Sequence, residues 1–390
     1  MFGIFIAQQS TTYNNIKKII EIIENDAEND IDYIFIDQSN LYLNNLKDNL
    51  DLPEKKIVKF INFRNSLLKI YSPNLFVKLL LIVFINLKFS QIIKKADFLV
   101  FSPGGAVEGE FARQIKKNKG KIFQIEGGLP FDFVKEKKTI SSQNDKFLKL
   151  VKKIPLKRFK VNPRKDPLVL TDYFFVGGEL SKLMHEEIGY DTKKIISDGV
   201  PRNEKIVSLS KNYGYKFDNV QKLYFICGGY EFHNMHKESK NMINEMQEIS
   251  LIAMSHNLRF IARLHPRQTT NEIQEISKIE SLVMLPPTEN FDQQISDNTI
   301  VLTKYSNLAF ESLLLQIPTF FYKSPKLYFA KKEWPDEELC IESPEELEDL
   351  IKNIEDVKKT NFFHYSSKMF SAKTKESAKN IYSLILEDKK

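Results

Sequence analysis

Short apolar runs alternate along this chain with longer stretches in which apolar residues recur every three or four positions. The first kind reads as buried strands and the second as amphipathic helices. Strand-like runs fall at 3–7, 33–36, 57–61, 98–101, 121–125, 173–176 and 194–197, then at 223–227, 258–264, 281–285, 299–303 and 319–322. Helical spacing falls at 14–24, 67–93 with a break near Ser72-Pro73, 109–117, 238–257, 270–279, 307–315, 344–354 behind a Ser343 cap, and 374–386. Strands alternating with helices predict parallel sheets covered on both faces. The pattern runs twice, either side of a polar stretch at 207–220 that reads as a linker. The fold expected is therefore α/β, with two Rossmann-like, doubly wound parallel-sheet domains facing a central cleft. Their bounds are 1–205 and 206–365, and 366–390 supplies a last helix packing back on the first domain. A chain of 390 residues suits two such cores.

Composition changes this picture little. Apolar content of 42% and charged content of 28% are those of an ordinary folded protein. The 30 Phe and 15 Tyr, with frequent Ile, Lys and Asn, read as coding bias toward AT-rich DNA. Cys227 and Cys340 lie far apart without metal-ligand spacing, and a reducing cytoplasm is expected. The N-terminal apolar run ends after Ala7, as a first strand does and a signal peptide does not. The run 75–89 is fifteen residues long with Lys78 and Lys88 inside it. That is short of the roughly 20 a spanning helix needs. A buried helix is favoured over one lying on a membrane.

Charge is uneven. The net value is +6, and 149–165 carries eight cationic residues and no acid. That stretch is either a solvated loop or a contact for anionic lipid or a polyanionic acceptor. A cytoplasmic protein, peripheral at the inner face of the cytoplasmic membrane, fits the second reading. Nucleic acid is not expected as a partner, because no binding motif accompanies the basic run.

Candidate chemistry sits where apolar runs end. Ligands of open parallel sheets bind outside the carboxyl ends of the strands. Arg263-Leu264-His265-Pro266-Arg267 closes one run, and Thr303-Lys304-Tyr305-Ser306-Asn307 closes another just before a helix. The Ser306 hydroxyl and the Asn307 N–H would meet a phosphate at that helix start, although both residue types also serve as plain caps. His265 would hydrogen-bond the phosphate and, when protonated, pair with its charge as the leaving group departs. The alternative is a strand-end histidine bonded to backbone. Pro266 would fix the turn, while Arg263 and Arg267 are either further phosphate contacts or surface residues. Gly228-Gly229, like Gly104-Gly105, follows a strand and would let backbone amides approach a phosphate or base. Glu126 precedes Gly127-Gly128 and is the expected general base for an acceptor hydroxyl, with a capping acid as the alternative. Arg202 lies near the domain junction, either on phosphate or pinning the hinge. His233 and His236 lack a third ligand, so no metal is expected, and no cofactor beyond a nucleotide-sugar donor.

The order Gly199-Val200-Pro201-Arg202-Asn203, a strand, a turn, His265-Pro266 and then Tyr305-Ser306 with Phe310-Glu311-Ser312 resembles GT-B glycosyltransferase-like enzymes of bacterial surface-polysaccharide assembly. One similar branch is the CMP-sugar transferases (sialyl-, polysialyl- and Kdo-type), which carry an acidic-acidic-Gly motif, His-Pro and a serine pair. The other is the CDP-glycerol glycerophosphotransferases of teichoic acid synthesis, with G-x-P-R-N/D, His-Pro and T-D-Y-S-S. The likeness covers roughly residues 98–325. His265 and Pro266 match both branches and Ser306 matches the first serine. Asn307 replaces the second serine, Lys304 replaces the teichoic aspartate, and Ile125 replaces one acid before Gly127.

The resemblance implies a metal-independent, inverting GT-B enzyme with acceptor in the first domain and donor in the second. Glu311, one turn into its helix and on the face of Ser306, would take the nucleotide's ribose hydroxyls. The reaction implied is transfer of an acidic sugar, a nonulosonic acid or Kdo, from a CMP donor to an oligosaccharide or lipid-linked glycan in capsule or lipopolysaccharide synthesis. The alternatives are polyol-phosphate transfer from a CDP donor, isomerisation by a UDP-sugar 2-epimerase-like enzyme of the same two-domain fold, and a non-catalytic relative.

Overall fold

Strand β1 (Phe2–Ala7) shows why the first sheet forms. Side chains alternate along a strand, so Ile4 and Ile6 enter one apolar layer while Phe5 and Ala7 enter the other. All four are buried, and burial of a large apolar side chain contributes about 1.5–3 kcal/mol. The computed structural model describes residues 1–7, 10–37, 57–59, 75–102, 106–127, 170–187, 190–210, 218–231, 235–287, 291–295, 298–304, 306–324, 327–329, 332–334, 337–353, 357, 362–367 and 369–387. Its two units are Met1–Lys205 with Ser371–Lys390, and Ile206–Phe370.

In the first unit β2 (Asp32–Asp37), β3 (Ile57–Lys59), β4 (Phe98–Ser102), β5 (Lys121–Ile125), β6 (Tyr173–Phe175) and β7 (Ile195–Ile196) join β1 in a parallel sheet of order β3-β2-β1-β4-β5-β6-β7. Helix α1 (Ser10–Asn25) covers one layer through Ile16, Ile19, Ile20 and Ile23. On the other, α2 (Leu75–Lys95) and α3 (Ala106–Lys117) bury Ile85, Phe89, Ile93, Phe111 and Ile115. The apolar run at 75–89 is thus part of a helix packed on the sheet, and among the described residues no helix is long and apolar enough to cross a membrane. Helix α4 (Glu179–Glu187), which periodicity does not announce, follows β6. Helix α5 (Glu204–Ser210) runs into the stretch read as linker, with Val207 and Ser210 buried.

The second unit repeats the plan. Strands β8 (Lys222–Ile226), β9 (Arg259–Arg263), β10 (Leu282–Leu285), β11 (Thr299–Thr303), β12 (Thr319–Tyr322) and, after a hairpin of β13 (Leu327–Phe329) and β14 (Lys332–Trp334), β15 (Cys340–Ile341) give a parallel sheet of order β10-β9-β8-β11-β12-β15. Helices α6 (His236–Ser255), α7 (Thr270–Ile276), α8 (Phe291–Gln294), α9 (Asn307–Leu314), α10 (Pro344–Lys352) and α11 (Phe362–Ser367) accompany it. Ser343 caps α10 by accepting the Glu346 amide. Helix α12 (Ser377–Glu387) belongs to the first unit, where Ala378, Ile381, Tyr382 and Ile385 enter the core against α1.

Candidate functional site

Strand β8 lies between β9 and β11, with Ile226 opposite both Arg263 and Thr303. The segments leaving these three ends therefore start side by side. Gly228-Gly229 follows β8, His265-Pro266 follows β9, and Ser306 follows β11. The structure brings Gly229 and His265 into contact: a Cβ at Gly229 would lie 2.4 Å from His265 Nδ1 and 3.3 Å from Arg267 Cβ. Only a residue without a side chain lets the imidazole occupy that place.

The histidine ring is oriented by its own turn. His265 Nδ1 accepts the Arg267 N–H at 3.1 Å, and the His265 N–H is held by Gln268 Oε1 at 2.8 Å. An Nδ1 that accepts puts the proton of the neutral ring on Nε2, making that nitrogen a donor. Pro266 is exposed in this turn and Arg267 half-buried.

Ser306 caps α9 by accepting the Leu308 N–H at 3.2 Å. The helix begins at Asn307, so its positive dipole end sits at this edge. Glu311 is half-exposed and lies four residues after Asn307. Its helical register therefore matches Asn307, not the non-helical Ser306 as expected.

Arg263 departs from expectation. It is 8% exposed, donates from Nη1 to Gln294 Oε1 at 2.8 Å and from Nη2 to the Pro287 carbonyl at 2.8 Å, and packs on Phe291. Its guanidinium ties β9 to the chain beyond β10 instead of facing a phosphate. Glu231 is similarly tied: its carboxylate accepts Thr269 Oγ1 and Asn271 Nδ2. Glu272 accepts the Glu231 N–H and Ser239 Oγ while closing a capping box with Thr269. The loop after β8 is thus anchored to the start of α7, a role no sequence motif signalled. His236 lies 3.7 Å from Glu231. Among the described residues no group of three His, Cys, Asp or Glu is placed to hold a metal. His233, Tyr305, Gly104-Gly105, Gly128, 149–165 and the Asn307 side chain lie outside the described residues.

In the first unit, Glu126 follows β5 but does not face outward. It is 5% exposed. Oε2 accepts the Gly177 N–H at 2.8 Å, and Oε1 accepts Ser181 Oγ and, at 2.9 Å, His185 Nε2. Burial alone would push this carboxyl up, but the hydrogen bond and charge of His185, with Ser181 and Gly177, hold it below its usual value. A carboxylate so held takes up a proton poorly, so this geometry gives Glu126 an anchoring role between β5 and α4 and does not carry the base role. Ser181 and His185 escaped the sequence reading because α4 did. Arg202 pins the same turn: Nη1 donates to the Gly127 carbonyl at 2.7 Å and its N–H to Asn15 Oδ1 at 2.9 Å. Asn15 Nδ2 in turn donates to the Glu126 carbonyl at 3.2 Å. Both of these Arg202 bonds lie within the first unit.

No protein family model matches the sequence, and no curated protein sequence matches it. Solved structures do. The UDP-GlcNAc 2-epimerase of Neisseria meningitidis bound to UDP-GlcNAc has a TM-score of 0.61 at 13% identity, over 99% of this chain and 100% of that one. The UDP-GlcNAc 2-epimerase of Methanocaldococcus jannaschii has a TM-score of 0.57 at 15% identity, over 99% and 100%. The wall teichoic acid polymerase TagF has a TM-score of 0.54 at 14% identity, over 99% of this chain and 88% of that one. At such identities the likeness is one of fold, and the fold is the two-domain, Rossmann-like GT-B architecture. None of these three is a CMP-sugar transferase, so they lend that part of the resemblance no support.

Proposed function

We propose that this chain is a nucleotide-sugar enzyme whose second unit binds the nucleotide and its phosphate. The observation that carries the reading is the edge where β8, β9 and β11 end. There the Gly229–His265 contact and the capped start of α9 leave neighbouring strands. An Nε2–H donor and a helix N-terminus suit an anionic phosphate and the charge that grows on it as a bond to the sugar breaks. The reaction we favour is inversion at C2 of a UDP-activated N-acetylhexosamine, supported by likeness along the full length of two UDP-GlcNAc 2-epimerases. A second reading is polyol-phosphate transfer from a CDP donor, favoured by the Gly199–Asn203 segment, His265-Pro266 and the likeness to TagF.

The test is a thermal-shift and calorimetric comparison of UDP, CDP and CMP, followed by NMR of UDP-GlcNAc with the protein in D2O. A ligand at a hundredfold excess over Kd stabilises the native state by about 2.7 kcal/mol. Preference for UDP, with deuterium entering at C2 as the proton leaves and returns, is the expected result. Preference for CDP brings the second reading forward, and preference for CMP restores acidic-sugar transfer. No response to any nucleotide would sink the reading.

A further inference from the structure

Two acidic residues one turn apart on α6 meet the chain where two neighbouring strands end. Lys304, the first residue after β11, is 8% exposed, and its Nζ lies 2.7 Å from Glu245 Oε1. Lys323, the first residue after β12, places Nζ 2.7 Å from Glu248 Oε2, which also accepts the Tyr322 hydroxyl at 3.1 Å. The Lys304 carbonyl accepts Ser324 Oγ at 2.5 Å. Two residues further on, Ser306 caps α9.

The first pair is unlike an exposed salt bridge. Both side chains are 9% exposed, and taking two charges out of water costs on the order of what their attraction returns. Glu245 Oε2 is moreover buried without a hydrogen-bond partner among the described residues. Such a pair contributes little net stability. What it fixes is direction, because a charge-assisted hydrogen bond holds its partners at one distance and angle. The lysine it holds stands at the root of the segment leading to Ser306. In a sequence that resembles enzymes with an aspartate here, the cation points into α6, away from the role of a phosphate ligand.

We propose that Lys304 and Glu245 are positioning residues: their buried pair holds the root of the Ser306 turn, and with it the N-terminus of α9, in the attitude that receives a nucleotide's phosphate. The inference rests on the reading of this edge as the nucleotide site.

The experiment compares Lys304→Met, Glu245→Gln and the double variant Glu245→Met/Lys304→Met with Lys323→Met, which breaks the neighbouring pair and leaves the Lys304–Glu245 contact in place. Thermal midpoint, UDP and CDP affinity, and ligand-free hydrogen exchange at the Leu308 and Ala309 amides are measured. Both amides are hydrogen-bonded to Ser306 in the native structure. Both single variants should lower the midpoint, and the double should regain it, because apolar residues of similar volume often replace a buried pair without loss. The double should still bind nucleotide about tenfold or more weakly, with exchange at the two amides faster by about as much. Lys323→Met should keep wild-type affinity. A stable double variant with wild-type affinity and exchange overturns the proposal. Should a single variant fail to fold, the double and Lys304→Arg decide the matter, the latter expected to keep much of the affinity. If the wild-type protein binds neither nucleotide, the site reading fails by itself. Exchange in the double then still judges the positioning role, faster exchange supporting it and unchanged exchange removing it.

Discussion

At the scale of single residues, two glycines have opposite lessons. Gly229 borders the proposed site, and its missing Cβ is what lets His265 keep the ring position in which Nδ1 accepts the Arg267 amide. Gly229→Ala should turn that ring away and weaken nucleotide binding about tenfold, with the thermal midpoint little changed. Calorimetry would measure it, and wild-type affinity would detach the glycine from the site. Gly199 opens the Gly-Val-Pro-Arg-Asn segment. Its φ is +95°, and a Cβ there would lie 2.1 Å from Thr374 Oγ1. Backbone conformation and close packing are sufficient reasons for that glycine, whatever the first unit binds.

Among elements, α4 matters most relative to how little the sequence announces it. Its Ser181 and His185, with the Gly177 N–H just before it, turn Glu126 from an exposed strand-end acid into a buried anchor. The carboxyl's folded pKa lies below its usual 4.5. The stability this contributes is therefore fully present above that value and is lost as pH falls through the lower, folded one. Glu126→Gln should destabilise the protein at neutral pH by on the order of 2 kcal/mol, as losing hydrogen bonds to a buried charged group does. Its stability should also fall less steeply than that of the wild type on acidification. Denaturant melts across acidic pH would show this. Equal slopes in both proteins would mean that another group supplies the acid sensitivity.

For the molecule as a whole, the first unit is built from both ends of the chain. Ile381 on α12 is fully buried in the cluster that holds Ile16, Ile20 and Phe5. Tyr382 donates its hydroxyl to Asp26, just beyond α1, and that bond with the Asn29 amide holds the Asp26 carboxyl down at about 2. Ile381→Ala should cost roughly 2–5 kcal/mol, read as a lowered denaturation midpoint of this unit. A loss below about 0.5 kcal/mol, typical of a surface site, would show that α12 is dispensable.

Hydrophobic periodicity alone determined most of the strands, the sheet-covering helices and the doubly wound α/β plan, because burial on two faces or on one stripe leaves a mark in local sequence. Strand ends followed by Gly228-Gly229, His265 and Ser306 were legible for the same reason. Tertiary structure decided what local sequence does not encode. It decided that Arg263 and Arg202 spend their guanidinium groups on carbonyl and amide oxygens, that Glu126 is enclosed by a helix some fifty residues away, and that Lys304 turns inward to Glu245. Whether a charged side chain faces ligand or protein depends on which partner stands within about 3 Å of it. That partner is chosen by the packing of elements distant in the chain, and only the folded arrangement supplies it.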